Sequence, residues 1–130
     1  MMHPIDHRVL ITDDDADFRQ AICEVLDRRG YGTVTAADGL EALDVIERGN
    51  IHLALFDVHM PRLDGLGALE SVRARIPKLP CILMTAQLDD RILARAQQLQ
   101  AEQVLPKPFS LAELVASVKR LLESAYGRGA

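Results

Sequence analysis

Short runs of uninterrupted apolar residues alternate along this chain with longer segments in which apolar positions recur every three or four residues. Strands and helices are therefore expected to follow one another. Arg8-Val9-Leu10-Ile11-Thr12 reads as a first strand, and Phe18, Ile22, Val25 and Leu26 form one stripe of a helix from Ala16 to about Arg29, ended by Gly30 and Gly32. Tyr31 to Ala36 carries the alternation and β-branched content of a second strand. Leu40, Leu43 and Ile46 predict a short helix closed by Gly49, and Ile51 to Phe56, apolar apart from His52, predicts a third strand covered on both faces. Pro61 and Gly65 bound a loop before a third helix on Leu66, Leu69, Val72 and Ile76, which Pro77 stops. Cys81 to Thr85 is a fourth buried strand, Ile92, Leu93, Ala96 and Leu99 mark a fourth helix, and Gln103 to Leu105 form a short fifth strand. The fifth helix carries Leu111, Leu114, Val115, Val118, Leu121 and Leu122 behind a capping box of Ser110 and Glu113.

Five strand-helix units are too few to close an eight-stranded barrel, so an open, doubly wound parallel α/β sheet in the order 2-1-3-4-5 is expected. Composition agrees with one domain. A length of 130 residues with 48% hydrophobic content suits a single domain over residues 1–130, with its core at about 8–124 and a small, Gly-containing flexible tail at 125–130. Such a chain folds without a disulfide framework. Cys23 and Cys81 lie in apolar runs without metal-ligand spacing and read as small buried hydrophobes. His3, His7 and His52 have no useful spacing either and are given no chemical role.

Fifteen Lys+Arg against nineteen Asp+Glu leave a net charge of −4, which argues against direct nucleic-acid binding. The first eight residues lack the apolar core of a signal peptide, and no segment is long and apolar enough to span a bilayer. A soluble, cytoplasmic setting without a membrane partner is the expectation.

In open sheets of this order the site lies at the carboxyl ends of the strands, where the order reverses. The residues found there are Asp13 and Asp14 after the first strand, Asp57 after the third, Thr85 at the end of the fourth and Lys107 after the fifth. With strands one and three adjacent, three carboxylates share one crevice and call for a cation among them. Oxygen-only ligands with room for water suit Mg2+. The Thr85 hydroxyl and the Lys107 ammonium complete a cradle for a small dianion, most naturally a phosphoryl group. Asp15 is better suited to cap the first helix, and Asp64-Gly65 to make the turn into the third.

Ile11-Thr12-Asp13-Asp14-Asp15, the run from Phe56-Asp57 through Pro61 to Asp64-Gly65, Met84-Thr85-Ala86 and Leu105-Pro106-Lys107-Pro108-Phe109 occur in order, each at a strand end. With these four strings the chain resembles the receiver domain of two-component response regulators from Arg8 to about Ser124. The resemblance implies the five-stranded flavodoxin-like, CheY-like fold. It also implies that Asp57 accepts a phosphoryl group from a sensor histidine kinase or phosphotransfer protein. Asp14, Asp57 and the His59 backbone carbonyl would ligate Mg2+ directly, and Asp13 through a water. Lys107 would pair with Asp57 at rest and with a phosphoryl oxygen afterwards, Thr85 would move to another phosphoryl oxygen, and the Lys107-Pro108 peptide would be cis. His59 and Gln87 flank the route of water to the phosphoryl group and are read as tuning dephosphorylation.

Two departures stand out. Val104 occupies the switch position where receivers usually carry an aromatic, and Leu99-Gln100-Ala101-Glu102 replaces the usual Gly-Ala pair before the fifth strand. Two function classes follow. One is a phosphorylatable switch acting on a downstream protein or an output domain outside this sequence, with self-phosphorylation and autodephosphorylation as its only chemistry. The other is a receiver-like interaction module with little phosphorylation-driven switching. A flavin-binding domain of the same topology is disfavoured, because three aspartates would repel its phosphate. Homodimerisation through the face of the fourth helix, fifth strand and fifth helix is a further implication of the resemblance.

Overall fold

Five strands and five helices alternate along residues 7–127, the part of the chain that the computed structural model describes. They are β1 (Arg8–Thr12), α1 (Ala16–Arg28), β2 (Gly32–Ala36), α2 (Gly39–Glu47), β3 (Leu53–Asp57), α3 (Gly65–Arg75), β4 (Cys81–Thr85), α4 (Asp90–Gln98), β5 (Gln103–Pro106) and α5 (Leu111–Tyr126). The strands form one parallel sheet in the order β2-β1-β3-β4-β5. This is the doubly wound α/β arrangement that the alternating pattern predicts.

Strand residues of opposite parity enter different cores, which is why β1, β3 and β4 read as continuous apolar runs. Val9, Ile11, Leu53, Leu55, Ile82 and Met84 pack beneath α1 and α5. Leu10, Ala54, Phe56, Cys81 and Leu83 pack beneath α2, α3 and α4. Each fully buried Leu, Ile or Phe contributes roughly 1.5–3 kcal/mol relative to exposure. Cys23 and Cys81 are buried and free, and burial pushes the Cys81 thiol up to about 12.

In this connectivity every helix begins on the side where the strands end, and each amino terminus is capped by a side chain. Asp15, Asp38, Asp64, Asp89 and Ser110 accept backbone N–H groups of the first turns of α1 to α5. The loops that carry the polar strand-end residues are thus fixed at both ends. At the opposite edge, Arg73 of α3 donates to the carbonyls of Leu99, Leu79 and Gln100 and to the Glu102 carboxylate, which also accepts the Cys81 N–H.

Several boundaries differ from the sequence expectation. β2 starts at Gly32, because the Tyr31 N–H bonds back to Leu26 at the end of α1. β3 starts at Leu53 and takes in Asp57, which pairs in register with Met84. Ile76 lies outside α3 at φ −135° and is 40% exposed, since the residue before a proline avoids helical backbone. Leu40, Leu93 and Leu111, assigned from periodicity to buried stripes, are also substantially exposed. Ala125 and Tyr126, expected in the tail, belong to α5, and the Tyr126 hydroxyl donates to the His52 carbonyl at 2.8 Å. The Tyr126 ring packs on His7 and His52, so these imidazoles belong to an aromatic cluster at the amino ends of the strands, away from the strand-end aspartates. His3 and residues 128–130 lie outside the described residues.

α4 closes with the Ala101 N–H on the Ala96 carbonyl and the Gln100 N–H on Gln97, a Schellman arrangement. Gln100 occupies its left-handed position at φ 57°. The departure from Gly-Ala therefore keeps the helix end and places a side chain where glycine is unstrained.

Candidate functional site

The order β2-β1-β3 makes the chain leave β1 and β3 in opposite directions, opening a crevice above their ends. Thr12 pairs with Phe56, so Asp13 and Asp57 come out of neighbouring strands at the same level. Asp13 is fully buried, Asp57 is 6% exposed and Asp14 faces solvent. Each of the three offers a carboxylate oxygen within 4.8 Å of the others. The sequence expectation that these three converge is met.

The carboxylates sit in unequal surroundings. Asp13 accepts the Asp15 N–H on Oδ1 at 2.9 Å and the Lys107 ammonium on Oδ2 at 2.6 Å, while Arg19 donates to its carbonyl. Asp57 lies 3.6 Å from Lys107. Burial, and then the negative charge of Asp13, push the Asp57 carboxyl above its ordinary value, against the opposing pull of Lys107 and the His59 backbone N–H. Lys107 was expected to pair with Asp57, and its nearer partner is Asp13. The Asp13 side chain is 1% exposed against 9% for Asp57, so the less solvated anion draws the cation more strongly.

Three strong backbone contacts place the remaining groups. Lys107 N–H donates to the Thr85 carbonyl at 2.7 Å, setting the loop after β5 against β4, and the Lys107-Pro108 peptide is cis as expected. Val58 N–H donates to the Met84 carbonyl at 2.8 Å, and Gly65 N–H to the Val58 carbonyl at 3.0 Å. Gly65 comes so close that a Cβ there would collide with the Asp57 carbonyl, so only glycine fits between α3 and the end of β3.

Thr85 is fully buried, and its hydroxyl accepts the Gln87 N–H at 3.0 Å. Gln87 and His59 are exposed on the loops after β4 and β3. Val104 pairs in register with Leu83 and is half-buried against the core under α2, α3 and α4. Thus Asp13, Asp14, Asp57 and Lys107 are in direct contact or close approach, Thr85 ends the strand beside Asp57, and Val104 is set back within β5.

Three neighbours escaped the sequence reading. Phe18, assigned only to the buried stripe of α1, presents its ring 4.3 Å from the Lys107 ammonium. Phe109 stacks edge-to-face on Phe18, 5.7 Å between centroids. Arg62, at φ 65°, donates to the buried Asp38 carboxylate at 2.7 Å, and Gly39 N–H donates to the Leu63 carbonyl at 3.0 Å. These bonds strap the loop after Asp57 to the start of α2, and Arg62 holds the Asp38 carboxyl below its ordinary value. Phe18 had one usable sign: a helical side chain leans toward the amino terminus, and Asp13 and Asp14 lie just there. Nothing in the sequence signals the Arg62–Asp38 pair.

The donor set is all oxygen, two of the three carboxylates are withdrawn from water, and burial pushes the Asp57 carboxyl above its ordinary value. Such a cluster fits a hard divalent cation. None of the described helices is long and apolar enough to cross a membrane.

Comparison with known proteins agrees with this geometry. The response regulator receiver domain family profile matches residues 9–119. Response regulator MprA from Mycobacterium sp. (strain KMS) is 39% identical over 117 residues, covering 88% of this chain and 50% of that protein. The chain thus spans about half the length of the curated relatives it matches. A CheY-like receiver domain protein from Methanospirillum hungatei JF-1 superposes with a TM-score of 0.89 at 28% identity, covering 92% of this chain and 95% of that one. Response regulator TrrA from Thermotoga maritima, solved in complex with Mg2+-BeF, superposes with a TM-score of 0.81 at 32% identity, over 88% of this chain and 98% of its own. The chain belongs to the response regulator receiver domain family of two-component signalling.

Proposed function

We propose that Asp57 is a phosphoacceptor and that this single domain, with its core at about 8–124, is a phosphorylation-controlled switch. The observation that supports it most is the convergence of three carboxylate oxygens within 4.8 Å beside a lysine, with the central carboxylate buried at the end of β3. An Asp57 oxygen attacks the phosphorus of a phosphohistidine on a sensor kinase or phosphotransfer protein. The oxygen–phosphorus bond forms as the nitrogen–phosphorus bond breaks, and the electron pair stays on the imidazole. The carboxylate is carried by the last residue of β3, whose backbone the sheet holds in place, so little reorganisation precedes the attack.

Asp14, Asp57 and the His59 backbone carbonyl would hold Mg2+ directly and Asp13 through a water. The ion supplies neutralising charge to nucleophile and phosphoryl group alike. The Mg2+-BeF complex of TrrA supports this assignment by likeness. Lys107 leaves Asp13 for a phosphoryl oxygen, a short displacement since it already lies 3.6 Å from Asp57. The Thr85 hydroxyl, whose oxygen accepts the Gln87 N–H at rest, turns to donate its own proton to another phosphoryl oxygen, moving the loop after β4. With Val104 in place of an aromatic, the signal passes through that loop and the α4–β5–α5 face, which offers a surface for a downstream protein, an output domain or a second copy. His59 and Gln87 set the lifetime of the phosphorylated state from their exposed positions at the crevice.

Beryllofluoride with Mg2+ tests this directly. Uptake with shifts in the amide resonances of the loop after β4 and of α4 is expected, and is lost in Asp57→Asn. Uptake without those shifts would favour an interaction module that does not switch, and no uptake would remove the phosphoacceptor role.

A further inference from the structure

Lys107 is held from three sides. Its ammonium donates to Asp13 Oδ2 at 2.6 Å, lies 3.6 Å from Asp57 Oδ2 and sits 4.3 Å from the centroid of the Phe18 ring. Phe18 is braced by Phe109, whose ring meets it edge-to-face at an interplanar angle of 73°. Phe109 follows Lys107 by two residues, so the loop after β5 delivers both the ammonium and the ring that steadies its platform. An aromatic face attracts a cation through its quadrupole and adds neither charge nor a competing hydrogen bond. The two carboxylates alone leave the ammonium drawn to Asp13, the stronger anchor. A neutral third partner keeps it in the crevice while its hydrogen bond changes hands.

We propose that Phe18 is a positioning residue for phosphoryl acceptance, its ring face holding the Lys107 ammonium where it can pass from Asp13 to an oxygen of the group on Asp57. The assignment rests on Asp57 being the phosphoacceptor. Because Phe18 acts through Lys107, its contribution must vanish when Lys107 is absent, which separates positioning from simple packing of a half-buried ring.

The test is beryllofluoride affinity at saturating Mg2+, with Mg2+ affinity measured separately on the same proteins. Phe18→Leu keeps apolar bulk and removes the aromatic face, and Phe18→Met serves the same purpose should the leucine protein not fold. Loss of the face is expected to weaken beryllofluoride binding about 3- to 10-fold, the range of a partly desolvated cation–π contact. Mg2+ affinity should stay unchanged, Phe18→Tyr should restore binding, and Phe18→Leu should add nothing in a Lys107→Ala background. Unchanged binding in Phe18→Leu, or an equal loss without Lys107, overturns the proposal alone. Failure of the wild-type protein to bind beryllofluoride overturns the phosphoacceptor assignment and this proposal together.

Discussion

Replacing Asp57 by asparagine should make the Mg2+-free protein more stable. Asp13 repels the Asp57 carboxylate across at most 4.8 Å, worth about 3.5 kcal/mol at an effective dielectric constant near 20. Asp14 faces water and adds about 1 kcal/mol. Lys107, at 3.6 Å, returns about 4.6 kcal/mol of attraction. The Coulombic contributions nearly cancel, so desolvation decides, in line with burial as the leading cause of the raised Asp57 pKa. A fully buried ion costs several kcal/mol, and the His59 N–H offsets part of that here. A net gain of about 1–2 kcal/mol is expected for the isosteric amide, or roughly 3–8 °C in melting temperature for a domain of this size. The assay is thermal unfolding near neutral pH in a chelator. Because the folded pKa of Asp57 is raised, ionising it weakens the fold. Wild-type stability should therefore fall as pH rises from the ordinary value of 3.8 through the raised one, a decline missing from Asp57→Asn. Mg2+ should raise the wild-type midpoint by mass action, and that of the variant less. An Asp57→Asn protein no more stable than wild type in chelator would refute the electrostatic account of the site.

Other predictions concern the frame around the crevice. Arg73→Ala should cost about 1–3 kcal/mol in denaturant unfolding, because the Leu99 and Leu79 carbonyls lose their donor and Glu102 its partner, and Arg73→Lys should rescue little, since one ammonium cannot reproduce the fork. Gly65→Ala should cost roughly 1–3 kcal/mol and also weaken Mg2+ binding, because relief of the clash displaces the Asp57 carbonyl. Gln100→Gly should stabilise the protein by up to about 1 kcal/mol by relieving left-handed backbone, read as a higher denaturant midpoint at unchanged slope. His59→Ala and Gln87→Ala should each change the decay rate of the phosphorylated protein without changing its melting temperature, and an unaltered lifetime in both would remove the tuning role.

The fold was legible because burial on both faces of a parallel sheet leaves strands such as Leu53–Asp57 almost purely apolar, while the intervening helices keep a 3.6-residue period. Convergence of Asp13, Asp14, Asp57 and Lys107 was legible for a related reason. A doubly wound sheet brings all carboxyl strand ends to one edge, so residues far apart in sequence meet whenever each ends a strand. What could not be read was which contact wins among close competitors. Lys107 chooses Asp13 over Asp57 by a difference in burial that no local pattern encodes. Phe18 satisfies the core stripe of α1 equally well whether or not a lysine lies over its ring. Exposure of Leu93 and Leu111 depends on what covers a helix, and periodicity reports only that a stripe exists.

The central claim is tested most directly by intact-protein and peptide mass spectrometry after incubation with Mg2+ and a small phosphodonor such as phosphoramidate. One added phosphoryl group per chain is predicted, located on Asp57, dependent on Mg2+ and absent from Asp57→Asn and Asp57→Ala. No incorporation into the intact protein, or undiminished incorporation in the Asp57 variants, would contradict it.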